Sequence, residues 1–207
     1  MDSGFPPLDP IAQSEHFETE RLLVRRTVGS DGDLLRPTLE SPGLVRGLRL
    51  DEPPNPQEFI NQAVAGWEFP WTYEANFTFT LIEKARQQAV GYAAMHVERN
   101  EDGGLRIEPD IVISPDFYRK GYAYEAMSGL IGWAFDDIEY PDDVVIDEVK
   151  ALCLPSNSAS IGLLEKLAEI GMEDLGLQEV PLRRRHQGEE PTITVRVFRV
   201  TRTGHRL

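Results

Sequence analysis

The sequence predicts a single α/β domain built on a central, mostly antiparallel sheet with helices packed against it. Three observations carry this expectation. Residues 76–114 hold three β-type runs, Asn76 to Glu83, Ala89 to Glu98 and Leu105 to Ser114, joined by short polar turns at 84–88 and 100–104. That is the pattern of an antiparallel meander. Tyr122 to Phe135 then places Ala123, Ala126, Met127, Leu130, Ile131, Ala134 and Phe135 in one continuous apolar stripe at helical spacing. Finally, a β-type run at Val144 to Leu154 leads into a second amphipathic helix, Ser158 to Ile170, stopped by Gly171, and Thr192 to Arg202 alternates as a last strand.

The remaining elements follow in order. Residues 1–16 carry three prolines and no apolar period, and are expected to form a flexible arm ahead of a single domain over 17–207. Glu20 to Thr27 reads as a first strand. Asp31 to Glu40 reads as a short helix interrupted by Pro37, and the proline-rich stretch from Pro42 to Pro56 as loop. Asn55-Pro56 is a helix start, with Phe59, Ile60, Ala63, Val64 and Trp67 at helical spacing behind it. In Asn76 to Glu83, alternating Phe77, Phe79 and Leu81 predict a half-buried strand with the phenylalanines in the core. Pro109, lacking an N–H, predicts a bulge or edge position in the third strand of the meander. No internal repeat or interdomain linker is visible.

Composition narrows the function. The 207 residues are 41% hydrophobic and 27% charged, as in a soluble globular domain, and no apolar run is long enough to cross a bilayer. The N-terminus lacks the pattern of a signal peptide. Lys and Arg total 21 against 35 Asp and Glu, a net charge of −14. Such a surface repels nucleic acid and anionic membranes and attracts cations such as amines. Cys153 is the single cysteine, which fits a reducing, cytoplasmic compartment and gives no internal disulfide. His16, His96, His186 and His205 show no metal-ligand spacing with it, so no metal is expected. Nothing in the sequence marks an oligomeric state.

The most informative segment is Ile111 to Phe135. A strand ends at Ser114-Pro115, and a short loop, Asp116-Phe117-Tyr118-Arg119-Lys120-Gly121, opens directly into the amphipathic helix. Gly121 permits a tight turn, and the first N–H groups of a helix have no internal partner and lie at the positive end of its dipole. Such a loop suits a pyrophosphate; it also suits an ordinary basic turn, and the local residues leave both readings open.

The segment Ile113-Ser114-Pro115-Asp116-Phe117-Tyr118-Arg119-Lys120-Gly121-Tyr122-Ala123-Tyr124-Glu125-Ala126 resembles the coenzyme A-binding motif of GNAT acetyltransferases. The likeness is greatest to the branch of ribosomal-protein N-terminal (serine/alanine) acetyltransferases. Three further resemblances fall in the right order: Phe17 to Arg25 with that branch's opening strand, Val90-Gly91-Tyr92 with its second hairpin strand, and Pro155 to Leu167, carrying Asn157-x-x-Ser160, with its last motif. Together they cover roughly residues 17–200.

The resemblance implies the acyl-coenzyme A N-acyltransferase fold, with the family's strands 4 and 5, here Leu105 to Ser114 and Val144 to Leu154, splayed around the pantetheine arm. It implies acetyl-coenzyme A as cosubstrate, contacted by Ile111, Val112 and Ile113, by the backbone N–H groups of Tyr118, Arg119, Lys120, Gly121, Tyr122 and Ala123, and by Asn157 and Ser160. An amine with a pKa of about 10.4 must lose a proton before it attacks. Glu108 aligns with the glutamate that many members of the branch carry, and Asp110 lies two residues on. Ser160 matches a serine some members use to meet the departing thiolate, a role for which no tyrosine after Tyr140 is available. Trp71 and Tyr73 are candidates for the acceptor pocket, while Arg183 to His186 reads as a solvated hairpin tip. Two departures stand out: Arg119 replaces a usual glycine, and the last helix runs about one turn long. The expected chemistry is direct transfer of acetyl to a small-molecule or protein N-terminal amine, without a covalent enzyme intermediate. The competing expectation is a non-catalytic acyl-coenzyme A-binding regulatory module.

Overall fold

The computed structural model describes residues 11–12, 15–41, 58, 61, 65, 77–99, 104–139, 145–181 and 192–206. Strands β1 (Ile11–Ala12), β2 (His16–Glu18) and β3 (Leu22–Arg26) precede helix α1 (Gly32–Leu39). Next come the meander strands β4 (Phe77–Glu83), β5 (Gln88–Arg99) and β6 (Leu105–Ile113). Helix α2 (Tyr122–Asp136) and strands β7 (Ile138–Glu139) and β8 (Ile146–Cys153) follow. Helix α3 (Ser158–Lys166), continued by a 3-10 turn at Leu167–Ile170, and strands β9 (Glu173–Pro181) and β10 (Thr192–Thr201) are the last elements among the described residues.

Eight strands form one sheet in the order β2-β3-β4-β5-β6-β8-β10-β9. Every neighbouring pair is antiparallel except β6 and β8, which run parallel. Ile11–Ala12 of the segment expected to be a loose arm pair with Ile138–Glu139, and His16 begins β2. Residues 1–10 lie outside the described residues, as do Phe59, Ile60, Ala63, Val64 and Trp67. Glu58, just before them, and Asn61 and Ala65, between them, are helical and exposed.

The core lies between one sheet face and α2. Ala126, Leu130, Ile131 and Ala134 are fully buried, and Trp133 sets its ring edge-on to Phe79 and Phe77, with centroids 5.0 and 5.4 Å apart. Both phenylalanines are core residues, as expected. Strand β4, however, is buried on both faces. Its polar face, which reads as a solvent face, lies under a buried network. Asp31 accepts two hydrogen bonds from the Arg25 guanidinium at 2.7 Å each, one from the Val28 N–H at 3.1 Å and one from the Thr80 hydroxyl at 2.9 Å. Burial pushes the Asp31 carboxyl up, but these donors outweigh it and hold it below the usual carboxylate range. A depressed folded value means that the stabilisation is present above the unfolded pKa of about 3.9 and lost as pH falls through the folded one. Asp31→Ala, which leaves the half-buried Arg25 guanidinium without its carboxylate, is expected to cost about 3 kcal/mol in urea unfolding. Asp31→Asn should flatten the acid limb of stability against pH.

Pro37 does not interrupt α1, which runs through to Leu39. The carbonyl it deprives of an i→i−4 partner belongs to the exposed Asp33. Nor does Pro109 cause a bulge. The ladder from Gly91↔Ile113 to Arg99↔Leu105 passes Pro109 without a register shift.

Candidate active site

Ladder parity explains how Pro109 is accommodated. The Ser114 N–H donates to the Val90 carbonyl at 2.8 Å, so Ser114 and Val90 form a hydrogen-bonded pair. Such pairs alternate along an antiparallel ladder, so Val112, Asp110 and Glu108 also direct their backbone groups to β5. Pro109, Ile111 and Ile113 direct theirs the other way, toward β8. The missing N–H of Pro109 therefore costs the β5–β6 ladder nothing.

On that other side the pairing stops early. Strand β6 pairs with β8 at Leu105↔Ile146, Arg106↔Glu148 and Ile107↔Val149, and no further. The two parallel strands part toward their C-terminal ends, which is the splay expected of them. By the same parity argument, the bond from the Arg202 N–H to the Asp147 carbonyl assigns Asp147, Val149, Ala151 and Cys153 to β10. Lys150 and Leu152 then face the gap. The wedge is thus edged by the backbone groups of Pro109, Ile111 and Ile113 opposite those of Lys150 and Leu152. Of the three β6 residues expected to contact a coenzyme, Val112 has its backbone groups committed to Tyr92 of β5, and only its side chain remains.

Both strands lead to helix N-termini, and the C-terminal ends of parallel strands are where α/β sheets hold ligands. After β6, a 3-10 turn at Pro115–Phe117 reaches Arg119, whose φ is 59°, and Gly121, whose φ is 84° and which caps α2. Arg119 therefore holds a positive φ that a glycine would adopt freely, at a cost of about 1 kcal/mol. Among the described residues, no carbonyl accepts from the N–H groups of Arg119 to Tyr124; the first such bond in the helix is from Glu125 to Gly121. The Tyr118 N–H, expected among the donors, is instead spent on the Pro115 carbonyl at 3.2 Å. The donors left from the expected set are those of Arg119, Lys120, Gly121, Tyr122 and Ala123, at the positive end of a 15-residue helix.

At the other lip, Asn157 caps α3, its side-chain oxygen accepting from the Ser160 N–H at 3.2 Å. That bond commits the amide oxygen to the helix and leaves the NH2 group for a ligand. Ser160 stands half-buried in the first turn. Cys153 is buried at the end of β8, in line with a structural role.

Glu108 and Asp110 share the sheet face opposite α2, as spacing on a regular strand requires. They differ in setting. Glu108 is only 7% exposed and lies directly across from His96, whereas the Asp110 carboxylate accepts from His96 Nε2 at 2.8 Å and has a largely exposed side chain. Trp71, Tyr73 and Arg183 to His186 lie outside the described residues. Among the described residues there is no group of three or more potential metal ligands, and no helix is long and apolar enough to cross a membrane.

Comparison with known proteins gives a consistent result. The model of the acetyltransferase (GNAT) domain family matches residues 21–168. A GNAT-family acetyltransferase from Bacillus anthracis superposes with a TM-score of 0.62 at 20% identity, over 91% of this chain and 99% of that one. The ribosomal-protein-S5-alanine acetyltransferase of Vibrio fischeri gives 0.61 at 15%, over 93% and 99%. A GNAT phosphinothricin acetyltransferase from Sinorhizobium meliloti, solved in complex with acetyl-coenzyme A, gives 0.56 at 17%, over 87% and 88%. No curated protein matches the chain.

Proposed function

Because the chain belongs to the GNAT acetyltransferase family, we propose that it binds acetyl-coenzyme A between β6 and β8 and transfers the acetyl group to a primary amine. The observation that carries this reading is the wedge itself, with its bare backbone edges and the N–H cradle of Arg119 to Ala123 at its mouth. The cradle suits a pyrophosphate. The edges of Ile111 and Ile113 offer donors and acceptors to the amide groups of a pantetheine arm. The NH2 group of Asn157 and the hydroxyl of Ser160 lie at the lip where the thioester would end, with Ser160 placed to donate to the departing thiolate.

Transfer then needs little more than orientation and a base. Glu108 takes the proton from the acceptor ammonium, directly or through water. The neutral nitrogen attacks the thioester carbonyl, the C–N bond forms and the C–S bond breaks; the proton the nitrogen gives up as the amide forms passes through Ser160 or water to the sulfur, so coenzyme A leaves as thiol. No step passes through an acyl-enzyme.

The acceptor is an amine of a small molecule or of a protein N-terminus; one structural neighbour is named for a ribosomal-protein alanine and another for phosphinothricin. The net charge of −14 favours a cationic acceptor. Residues 17–207 form the catalytic domain in this reading, and a cytoplasmic setting accords with the lone cysteine.

Calorimetric titration with coenzyme A tests the binding half of the reading. Saturable binding is expected, with the native state stabilised by about 2.7 kcal/mol at a hundredfold excess over Kd. No heat and no thermal shift at millimolar ligand would contradict it.

A further inference from the structure

The opening segment around Thr19 and Arg21 touches the loop before α2 at several points. Glu125, one turn into α2, accepts from the Thr19 hydroxyl at 2.5 Å, from the Arg21 N–H at 2.7 Å and from Arg21 Nε at 2.6 Å. Arg21 Nη1 donates to the Lys120 carbonyl at 2.9 Å. The same guanidinium lies 4.6 Å from the centroid of the Tyr122 ring, and its Nη2 is 3.2 Å from where a Cβ on Gly121 would stand. On the far side, the Tyr122 hydroxyl donates to Glu83, which is paired with Arg86.

Two consequences follow from elementary chemistry. A trans peptide is planar, with its C=O and N–H pointing in opposite directions. Holding the Lys120 carbonyl therefore aims the Gly121 N–H, a central donor of the cradle. Second, a carboxylate in the first turns of a helix opposes any anion at that helix's N-terminus. Burial pushes the Glu125 carboxyl up, but Thr19 and Arg21 hold it below the usual range, so it is charged at neutral pH. Arg21 cancels that charge where a dianionic ligand would feel it.

We propose that Arg21 is a positioning residue for the coenzyme: its guanidinium orients the Lys120–Gly121 peptide and neutralises Glu125 beside the pyrophosphate site. The proposal rests on the reading of that loop as the pyrophosphate site.

The test is calorimetry with coenzyme A and with 3′-dephospho-coenzyme A on the full chain and on Arg21→Ala and Arg21→Lys. Arg21→Ala is expected to raise Kd about tenfold, by the same factor for both ligands. Arg21→Lys restores the charge but not the two-pronged contact, and is expected to recover only part of the loss. With an acceptor in hand, the KM for acetyl-coenzyme A should rise in step with Kd while kcat at saturation falls far less. A lowered Tm with unchanged Kd in both variants would make Arg21 a purely structural residue and overturn the proposal. So would a penalty that vanishes with the dephospho ligand, which would mean direct contact with the 3′-phosphate. Should Arg21→Ala not fold, Arg21→Lys decides alone, and an unchanged Kd there overturns the proposal. Absence of binding by the unaltered chain would overturn the pyrophosphate reading itself.

Discussion

Glu108→Gln is expected to lower turnover with an amine acceptor roughly 10²-fold or more near neutral pH. The substitution keeps the shape of a side chain that is almost wholly buried on β6, so the fold should survive. It removes the only function asked of Glu108, accepting the ammonium proton. The affinity for coenzyme should change little, since the cradle lies beyond the end of the strand. The defect should shrink as pH rises toward the amine pKa of about 10.4, because more of the acceptor is then already neutral. Asp110→Asn should be milder: its carboxylate is open to water and engaged with His96 at 2.8 Å. A pH–rate profile for each variant checks the order. Full activity in both single variants and in the double variant would leave proton removal to water or a backbone carbonyl.

Gly121→Val is expected to abolish measurable coenzyme binding while leaving most of the fold intact. Residue 121 has φ 84°, where a β-branched side chain is strained whatever space surrounds it. Its Cβ would also stand 3.2 Å from Arg21 Nη2, crowding the guanidinium that holds the loop. The branch would project beside N–H groups meant to meet phosphate. Calorimetry with circular dichroism checks both parts; normal coenzyme affinity in a folded variant would put the pyrophosphate elsewhere.

The parts of this account legible in the sequence are those encoded locally. The apolar stripe of α2, the glycine before it and the alternation of the meander strands each sit within a few residues, and each became the expected element. What escaped depends on partners far along the chain. Strand periodicity says which residues share a face but not which sheet edge a backbone N–H points to. Pro109 therefore suggested a bulge or an edge position without saying which, and the structure shows the open edge; likewise Val112 could not be told from Ile111 and Ile113. Thr78 and Thr80 look like a solvent face until Asp31 and Thr27 supply the Thr80 hydroxyl with buried partners and the Thr27 N–H binds the Thr78 carbonyl. Tyr118 drops out of the cradle because a 3-10 turn takes its N–H.

Arg21 was missed as part of the site although Glu125 held a clue: an acidic residue near a helix N-terminus read as an anion site needs a cation to offset it. Nothing in the pattern says that the cation lies 104 residues upstream. Gly91 is a similar case. A Cβ there would come within 2.4 Å of the Val112 carbonyl, so the glycine of Val90-Gly91-Tyr92 lets β5 and β6 approach closely just where β6 turns toward the loop.

The most direct test of the central claim is release of coenzyme A thiol from acetyl-coenzyme A in the presence of a panel of amines, with the products weighed by mass spectrometry. The account predicts that at least one cationic small-molecule amine or peptide N-terminus stimulates thiol release and gains one acetyl group, with stoichiometric product and no acetylated protein intermediate. Tight coenzyme binding with no acceptor-dependent release across small amines and peptide N-termini would contradict it and leave a coenzyme-binding module without catalysis.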